Sequence, residues 1–211
     1  MADMRAIADA VKAGRAKIVK QLVTEAVEQG ATADQILNEA LVVGMVELGE
    51  MFKNNEVYVP EVLIAARAMK AGMAIIKPLL LEQDIPMLGT VAIGTVKGDL
   101  HDIGKNLVGM MLEGSGFTVI DLGVDVTPEQ YIDAIKNQGA QIIGMSALLT
   151  TTMTSMKEII DAIKEAGLRD QVKIMIGGAP ITQEYADEIG ADGYSVDAAS
   201  AAELAKKLIA G

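Results

Sequence analysis

Over about the first 84 positions, the side chains that belong together recur at helical rather than alternating spacing, as in the rows Leu22, Ala26, Gln29 and Ile36, Ala40, Val43. Breaks fall near Gly14, at Gly30-Ala31-Thr32 and around Lys53-Asn54-Asn55. Thr32 suits a helix N-cap, Pro60 suits the first turn of the last long helix, and Pro78 lies near that helix's end. The pattern predicts about four helices and hence a small bundle.

From about residue 88 the rhythm changes. Apolar runs of strand length (89–96, 117–122, 141–146, 172–176 and a short 193–195) alternate with amphipathic stretches near 103–115, 128–138, 152–166, 181–189 and 197–210. Five β-α units with buried strands predict a parallel sheet covered on both faces, joined by right-handed crossovers. The expectation is an α/β chain, with a helical bundle over 1–87 and a flavodoxin-like five-stranded domain over 88–211. Leu81-Glu82-Gln83-Asp84-Ile85-Pro86 would link them. No internal repeat or low-complexity tail is visible. Ligands of such sheets bind beyond the carboxyl ends of the strands. Three loops fall there: 94–104, Ser146 to Thr152, and Gly177-Gly178-Ala179. With strands one, three and four adjacent, one site could use all three.

Composition narrows the function. Hydrophobic residues make up 51% and aromatics 3% with no Trp, so the core is aliphatic. The 13 methionines, including the row Met45, Met51, Met69, Met73, read as flexible core filler. A formal charge of −11 argues against nucleic-acid or anionic-membrane partners, which need basic surface. With no cysteine, disulfides, thiolate metal sites and cysteine nucleophiles are excluded. The charged N-terminus has no signal core, and no apolar run approaches the roughly 18 residues of a membrane span, so a soluble cytoplasmic protein is expected.

The single histidine sits in Gly98-Asp99-Leu100-His101-Asp102-Ile103-Gly104-Lys105, between a strand and a helix. A phosphate loop is a poor fit: the glycine spacing is wrong, Lys105 is followed by Asn106, and two aspartates would repel a triphosphate. No G-x-G-x-x-G follows a strand, no phosphorylatable Asp ends strand three, and no nucleophile elbow is present. The bland reading is a helix-opening loop with an Asp cap and a filler His. Against it, Asp99 stands two residues before His101, where it can accept the Nδ1 proton and leave Nε2 as one aimed lone pair. One protein ligand is enough for a metal only if the metal brings its other ligands, which points to a macrocycle.

Asp99-x-His101-x-x-Gly104 resembles the D-x-H-x-x-G signature of base-off, His-on cobalamin-binding domains. Ser146-Ala147-Leu148 resembles their S-x-L motif and Gly177-Gly178 their G-G motif, in order and one per loop. The helical half is similar to the family's four-helix cap, as in cobalamin-dependent methionine synthase. GTVKGDLHDIGKNLV and MSALLTTTM look most like the small corrinoid proteins that serve methanol, methylamine, betaine-type and aryl-methyl-ether substrates.

The resemblance implies roles. His101 would be the metal ligand, replacing the cofactor's dimethylbenzimidazole below cobalt. Asp99 and Thr152 would complete a catalytic relay, Thr152 standing where methionine synthase-like domains carry Ser, with Thr150 and Thr151 as competing hydroxyls. Gly98, Asp102, Ile103, Gly104, Ser146, Leu148, Thr150, Gly177 and Gly178 would contact the cofactor: Gly104 lets the displaced tail approach, Ser146 bonds near the base, Leu148 packs on it, and Gly177 and Gly178 leave room. Tyr194, with Ser195, would close the far end. Tyr58, in Tyr58-Val59-Pro60, would lie over the upper face, although a staple at the helix start fits the spacing equally. The linker would then be a hinge for an opening cap.

The function implied is a methyl shuttle. Cobalt(I) of a bound corrinoid (methyl or hydroxo form on isolation) takes a methyl group from a substrate-specific methyltransferase. A second methyltransferase passes it to tetrahydrofolate or a thiol such as coenzyme M, and a reductive activase restores inactive cobalt. The chain would be a carrier subunit of a methyltransferase system, without turnover of its own. Two alternatives share the motifs: a subunit of an adenosylcobalamin-dependent isomerase, disfavoured by the four-helix half, and a cobalamin sensor module, which usually carries an output segment.

Overall fold

The computed structural model describes residues 2–82 and 86–210 and divides into two compact units, Met1–Met87 with Glu113–Gly116, and Leu88–Leu112 with Phe117–Gly211. In the first, α1 (Met4–Lys12) is capped by Asp3, whose carboxylate accepts the Ala6 N–H at 2.9 Å. Gly14, at φ +68°, turns the chain into α2 (Ala16–Glu28). Thr32 starts the next helix with a capping box that pairs it reciprocally with Gln35. That helix runs through α3 (Ala33–Ile36), a π-helical segment (Leu37–Leu41) and α4 (Val42–Lys53). The π segment is a feature that apolar spacing does not reveal. α5 (Val59–Glu82) takes Pro60 in its first turn and tolerates Pro78 near its end.

The bundle buries Ile7, Val11, Val19, Val23, Ile36, Leu41, Met45, Leu48, Met69 and Ile76. α1 and α4 come close enough that a Cβ on Gly44 would stand 2.5 Å from the Ala8 carbonyl oxygen. Glu47 on α4 then accepts from Arg5 (3.0 Å) and Lys12 (2.7 Å) on α1. Because α5 extends through Glu82, the first two residues of the expected linker are helical; residues 83–85 of it lie outside the described residues.

The second unit alternates β1 (Thr90–Val96), α6 (Ile103–Gly114), β2 (Thr118–Val126), α7 (Pro128–Gln138), β3 (Ile142–Ser146), α8 (Thr154–Glu165), β4 (Lys173–Gly177), α9 (Gln183–Ile189), β5 (Gly193–Ser195) and α10 (Ala198–Ala210). All pairings are parallel and the strand order is β2-β1-β3-β4-β5, the flavodoxin-like order expected. One difference matters for the site. β2 does not stop at Leu122 but continues to Val126, slipping register against β1 twice. Gly123 and Asp125 mark the slips, both with positive φ.

Alternation along the strands sends Ala92, Val96, Ile143, Met145, Ile174 and Ile176 into a core with α7, α8 and α9. The intervening residues face the other side, where α10 packs on β3, β4 and β5. On that side the last register row is small and hydroxylated: Thr95 beside Ser146, Ser146 beside Gly177, Gly177 beside Ser195. Buried Lys105 on α6 pairs with Asp121 on β2, which ties this helix to the edge strand.

Candidate functional site

The β1–α6 loop places Asp99 at the carboxyl edge of the sheet, fully buried. Both of its oxygens are filled. Oδ1 accepts from the His101 backbone N–H (3.0 Å) and from His101 Nδ1 (2.7 Å); Oδ2 accepts from the Leu148 N–H (2.8 Å) and the Thr152 hydroxyl (2.7 Å). Burial alone would raise this carboxyl. Donation from the His101 and Leu148 backbones, the Thr152 hydroxyl and the imidazole outweighs it and holds Asp99 well below the usual carboxylate range. Asp99 is therefore an anion, so the shared proton sits on His101 Nδ1. The His101 side chain is 52% exposed, and with Nδ1 engaged by Asp99, Nε2 is the ring nitrogen left to meet a ligand.

Of the three consecutive threonines, Thr150 and Thr151 are exposed and Thr152 is the buried one that reaches Asp99. Gly98, at φ +83°, makes the turn before Asp99. Asp102 caps α6, its carbonyl accepting the Asn106 N–H at 2.8 Å and its carboxylate the Asn106 side chain at 3.0 Å. Ile103, at the start of α6, is exposed, as are Leu100, Leu148 and Val196 at the same edge. A Cβ on Gly104 would meet nothing within 4 Å. Gly178 differs: its φ is +127° and a Cβ there would lie 1.9 Å from the Ala147 carbonyl oxygen, so the neighbouring loop itself requires glycine. Ser146 and Gly177 stand side by side in the small-residue row.

Tyr194 lies on the opposite face of β5 from Ser195. It packs against the core shared by α7, α8 and α9, because side chains alternate along β5; Ser195 is the residue of that strand lying in the row. Tyr58, in the helical unit, is exposed and closes the start of α5 through its main chain: its N–H donates to Glu61 Oε2 (3.0 Å), and its carbonyl accepts the Glu61 N–H (3.1 Å). Two contributors carry no motif letter. The Thr95 hydroxyl donates to the His101 carbonyl (2.9 Å), and Asp125 Oδ1 accepts the Gly98 N–H (2.7 Å). A groove of about 580 Å³ lies at the opposite edge, lined by Gln141, Arg169 and Lys173 among others, and contains none of these residues.

Residues 89–203 match the B12 binding domain family, and residues 4–77 match a second B12 binding domain family. The chain belongs to the B12-binding corrinoid proteins. It is 42% identical over 199 residues to a corrinoid protein of Desulfitobacterium hafniense, covering 93% of this chain and 92% of that one. It is 46% identical over 177 residues to a dimethylamine corrinoid protein of Methanosarcina barkeri, covering 83% of each. Among solved structures, a chain of the methanol:cobalamin methyltransferase complex of Methanosarcina barkeri superposes with a TM-score of 0.86. The identity is 31%, over 99% of this chain and 80% of that one.

The residues present suit a corrinoid. No group of three or more acidic or histidine side chains able to hold a bare ion occurs among the described residues. The site instead offers one imidazole nitrogen, which would be enough for a metal that arrives with its other ligands in a macrocycle. The exposed apolar rim and the open surface at Gly104 suit a large flat ring with a tail. No helix among the described residues is long and apolar enough to cross a membrane.

Proposed function

We propose that this corrinoid protein is a methyl carrier that binds its cofactor base-off, with His101 as the lower cobalt ligand. The observation that carries the reading is the orientation of the lone histidine. A buried, anionic Asp99 accepts a hydrogen bond from His101 Nδ1–H at 2.7 Å, and the half-exposed ring keeps Nε2 as the nitrogen left to bind a ligand at the carboxyl edge of the sheet. When bound, the corrinoid supplies a cobalt that accepts and releases a methyl group. The chain does the rest. Asp99 would fix the imidazole tautomer and ring orientation toward the metal, and Thr152 keeps Asp99 in place. The row Thr95, Ser146, Gly177, Ser195 provides the narrow, hydroxylated floor for the displaced nucleotide tail, and Gly104 leaves its entry open.

Two partners complete the reading. A methyltransferase specific for a methylated amine loads the carrier, a choice supported by the dimethylamine corrinoid relative at 46% identity. A second methyltransferase unloads it onto tetrahydrofolate or a thiol such as coenzyme M, and a reductive activase recovers oxidised cofactor. The test has two arms. Protein reconstituted with hydroxocobalamin should show absorption bands that change in His101→Ala; identical spectra would remove His101 from the cobalt. Reduced holoprotein should then take isotope-labelled methyl from dimethylamine or trimethylamine in the presence of the corresponding amine methyltransferase. Loading from methanol with its own methyltransferase, and from no amine, would overturn the amine assignment.

A further inference from the structure

His101 belongs to a loop that leaves β1 at Val96 and enters α6 at Ile103, and such a loop has no regular ladder to hold its main chain. Ser155 on α8 donates to the Lys97 carbonyl at the start of this loop (3.3 Å), and two further side chains outside the D-x-H-x-x-G motif hold it around Gly98 and His101. Thr95, the fully buried penultimate residue of β1, donates its hydroxyl to the His101 carbonyl at 2.9 Å. Asp125, near the end of β2, makes a reciprocal pair: Oδ1 accepts the Gly98 N–H at 2.7 Å, and its own N–H donates to the Asp99 carbonyl at 3.1 Å.

Asp125 can do this because β2 is distorted. Ile93 pairs with Asp121, Gly94 with Gly123 and Val96 with Val126, so two extra residues are threaded into β2 over this span. The bulges bring both the amide and the carboxylate of Asp125 onto the histidine loop. The cost is a left-handed backbone at a residue with a Cβ, φ +54°. Aspartate tolerates that region better than most residues, yet the conformation persists only where its surroundings dictate it. Neither Thr95 nor Asp125 has a hydrogen bond to the imidazole. Each fixes the main chain from which the ring projects.

We propose that Thr95 and Asp125 are positioning residues that set how firmly His101 binds cobalt. The inference rests on His101 being the lower ligand. Losing one of these hydrogen bonds should weaken ligation about three- to tenfold, the effect of one net hydrogen bond. Because the lower ligand favours cobalt(II) over cobalt(I), such weakening raises the cobalt(II)/cobalt(I) midpoint by about 30 to 60 mV, at 59 mV per tenfold for one electron.

The experiment uses ¹⁵N-labelled full-length protein reconstituted with hydroxocobalamin and reduced to cobalt(II). Electron paramagnetic resonance then distinguishes a doublet from the ¹⁵N of histidine from a triplet due to the cofactor's own ¹⁴N base. Wild type should show the doublet. Asp125→Gly, which keeps the left-handed backbone but loses the acceptor, and Thr95→Val, which keeps the volume but loses the donor, should retain the doublet with potentials raised as above. Asp125→Asn and Thr95→Ser, which keep the bonds, should stay at the wild-type potential. Wild-type potentials in both deletion variants, with the doublet intact, would overturn the positioning role and leave His101 ligation standing. No doublet in wild type would overturn the ligation itself and the inference with it. Should Asp125→Gly fail to fold, Thr95→Val against Thr95→Ser decides.

Discussion

Thr152 carries one hydroxyl proton and has two acceptors within reach, Asp99 Oδ2 at 2.7 Å and the Leu149 carbonyl at 3.0 Å. The charged, closer acceptor wins it. That proton is part of what makes a buried carboxylate tolerable. Thr152→Val should cost about 1.5–3 kcal/mol of unfolding free energy, the range for a hydrogen bond to a charged group. Thr152→Ser should recover most of it; urea denaturation of the three proteins measures both, and a loss in Ser with none in Val would mean that methyl packing matters instead. At this scale the sequence was legible where a side chain bears the chemistry. Asp99 and His101 could be paired from their spacing, and Thr152 was one of three candidates. The Leu148 N–H was not legible as an Asp99 donor, because main-chain groups are the same at every position. Thr95 and Asp125 were hidden for another reason: what they hold is a loop backbone, and the bulges that bring Asp125 there have no simple sequence sign.

Gly104 and Gly178 look alike as letters in two motifs, and the elements around them separate their roles. Gly178 has left-handed backbone and no space for a Cβ against Ala147, so the close approach of the β3–α8 and β4–α9 loops depends on it. Gly104 lies in the first turn of α6 with negative φ and open space around it, so the protein fold alone gives no reason for glycine there. Gly104→Ala should therefore leave unfolding free energy unchanged or raise it by up to ~1 kcal/mol through helix propensity, while lowering cobalamin affinity at least tenfold by equilibrium titration. An Ala variant that binds cofactor as wild type would show that no part of the ligand passes at that point. Element type and order were readable because helical and strand periods differ so clearly in this chain. Element ends were less so: glycine and aspartate in Leu122-Gly123-Val124-Asp125 suggest a turn, whereas here they are bulges inside β2. The π segment in the third helix of the bundle was equally invisible, since its residues remain apolar at near-helical spacing.

For the whole molecule the controlling variable is pH. The chain carries −11 at neutrality and reaches zero net charge near pH 4.6. Acidification from pH 7 first relieves self-repulsion. It does not at once break the ion pairs and hydrogen bonds, because the carboxyls that make them are held low: Asp9, Asp133 and Asp161 by hydrogen bonds from neighbouring side chains, Asp121, against partial desolvation, by the Lys105 ammonium and the Gly123 N–H, and Asp99 despite burial. Glu47 is the clearest case, lowered to about 2 by hydrogen bonds from Arg5 and then Lys12. A carboxyl depressed in the folded state contributes stability that is complete above its unfolded value. That contribution fades as pH falls toward the folded value. Thermal unfolding should therefore show a Tm that holds or rises from pH 7 to about 5, a solubility minimum near 4.6, and a steep fall below. Glu47→Gln removes one of these contributions. Its Tm should lie below wild type at pH 7, and the gap should close as pH approaches about 2. A gap constant from pH 7 to 2 would mean that the contacts of Glu47 between α1 and α4 are those of shape alone, and that its charge adds nothing to the bundle.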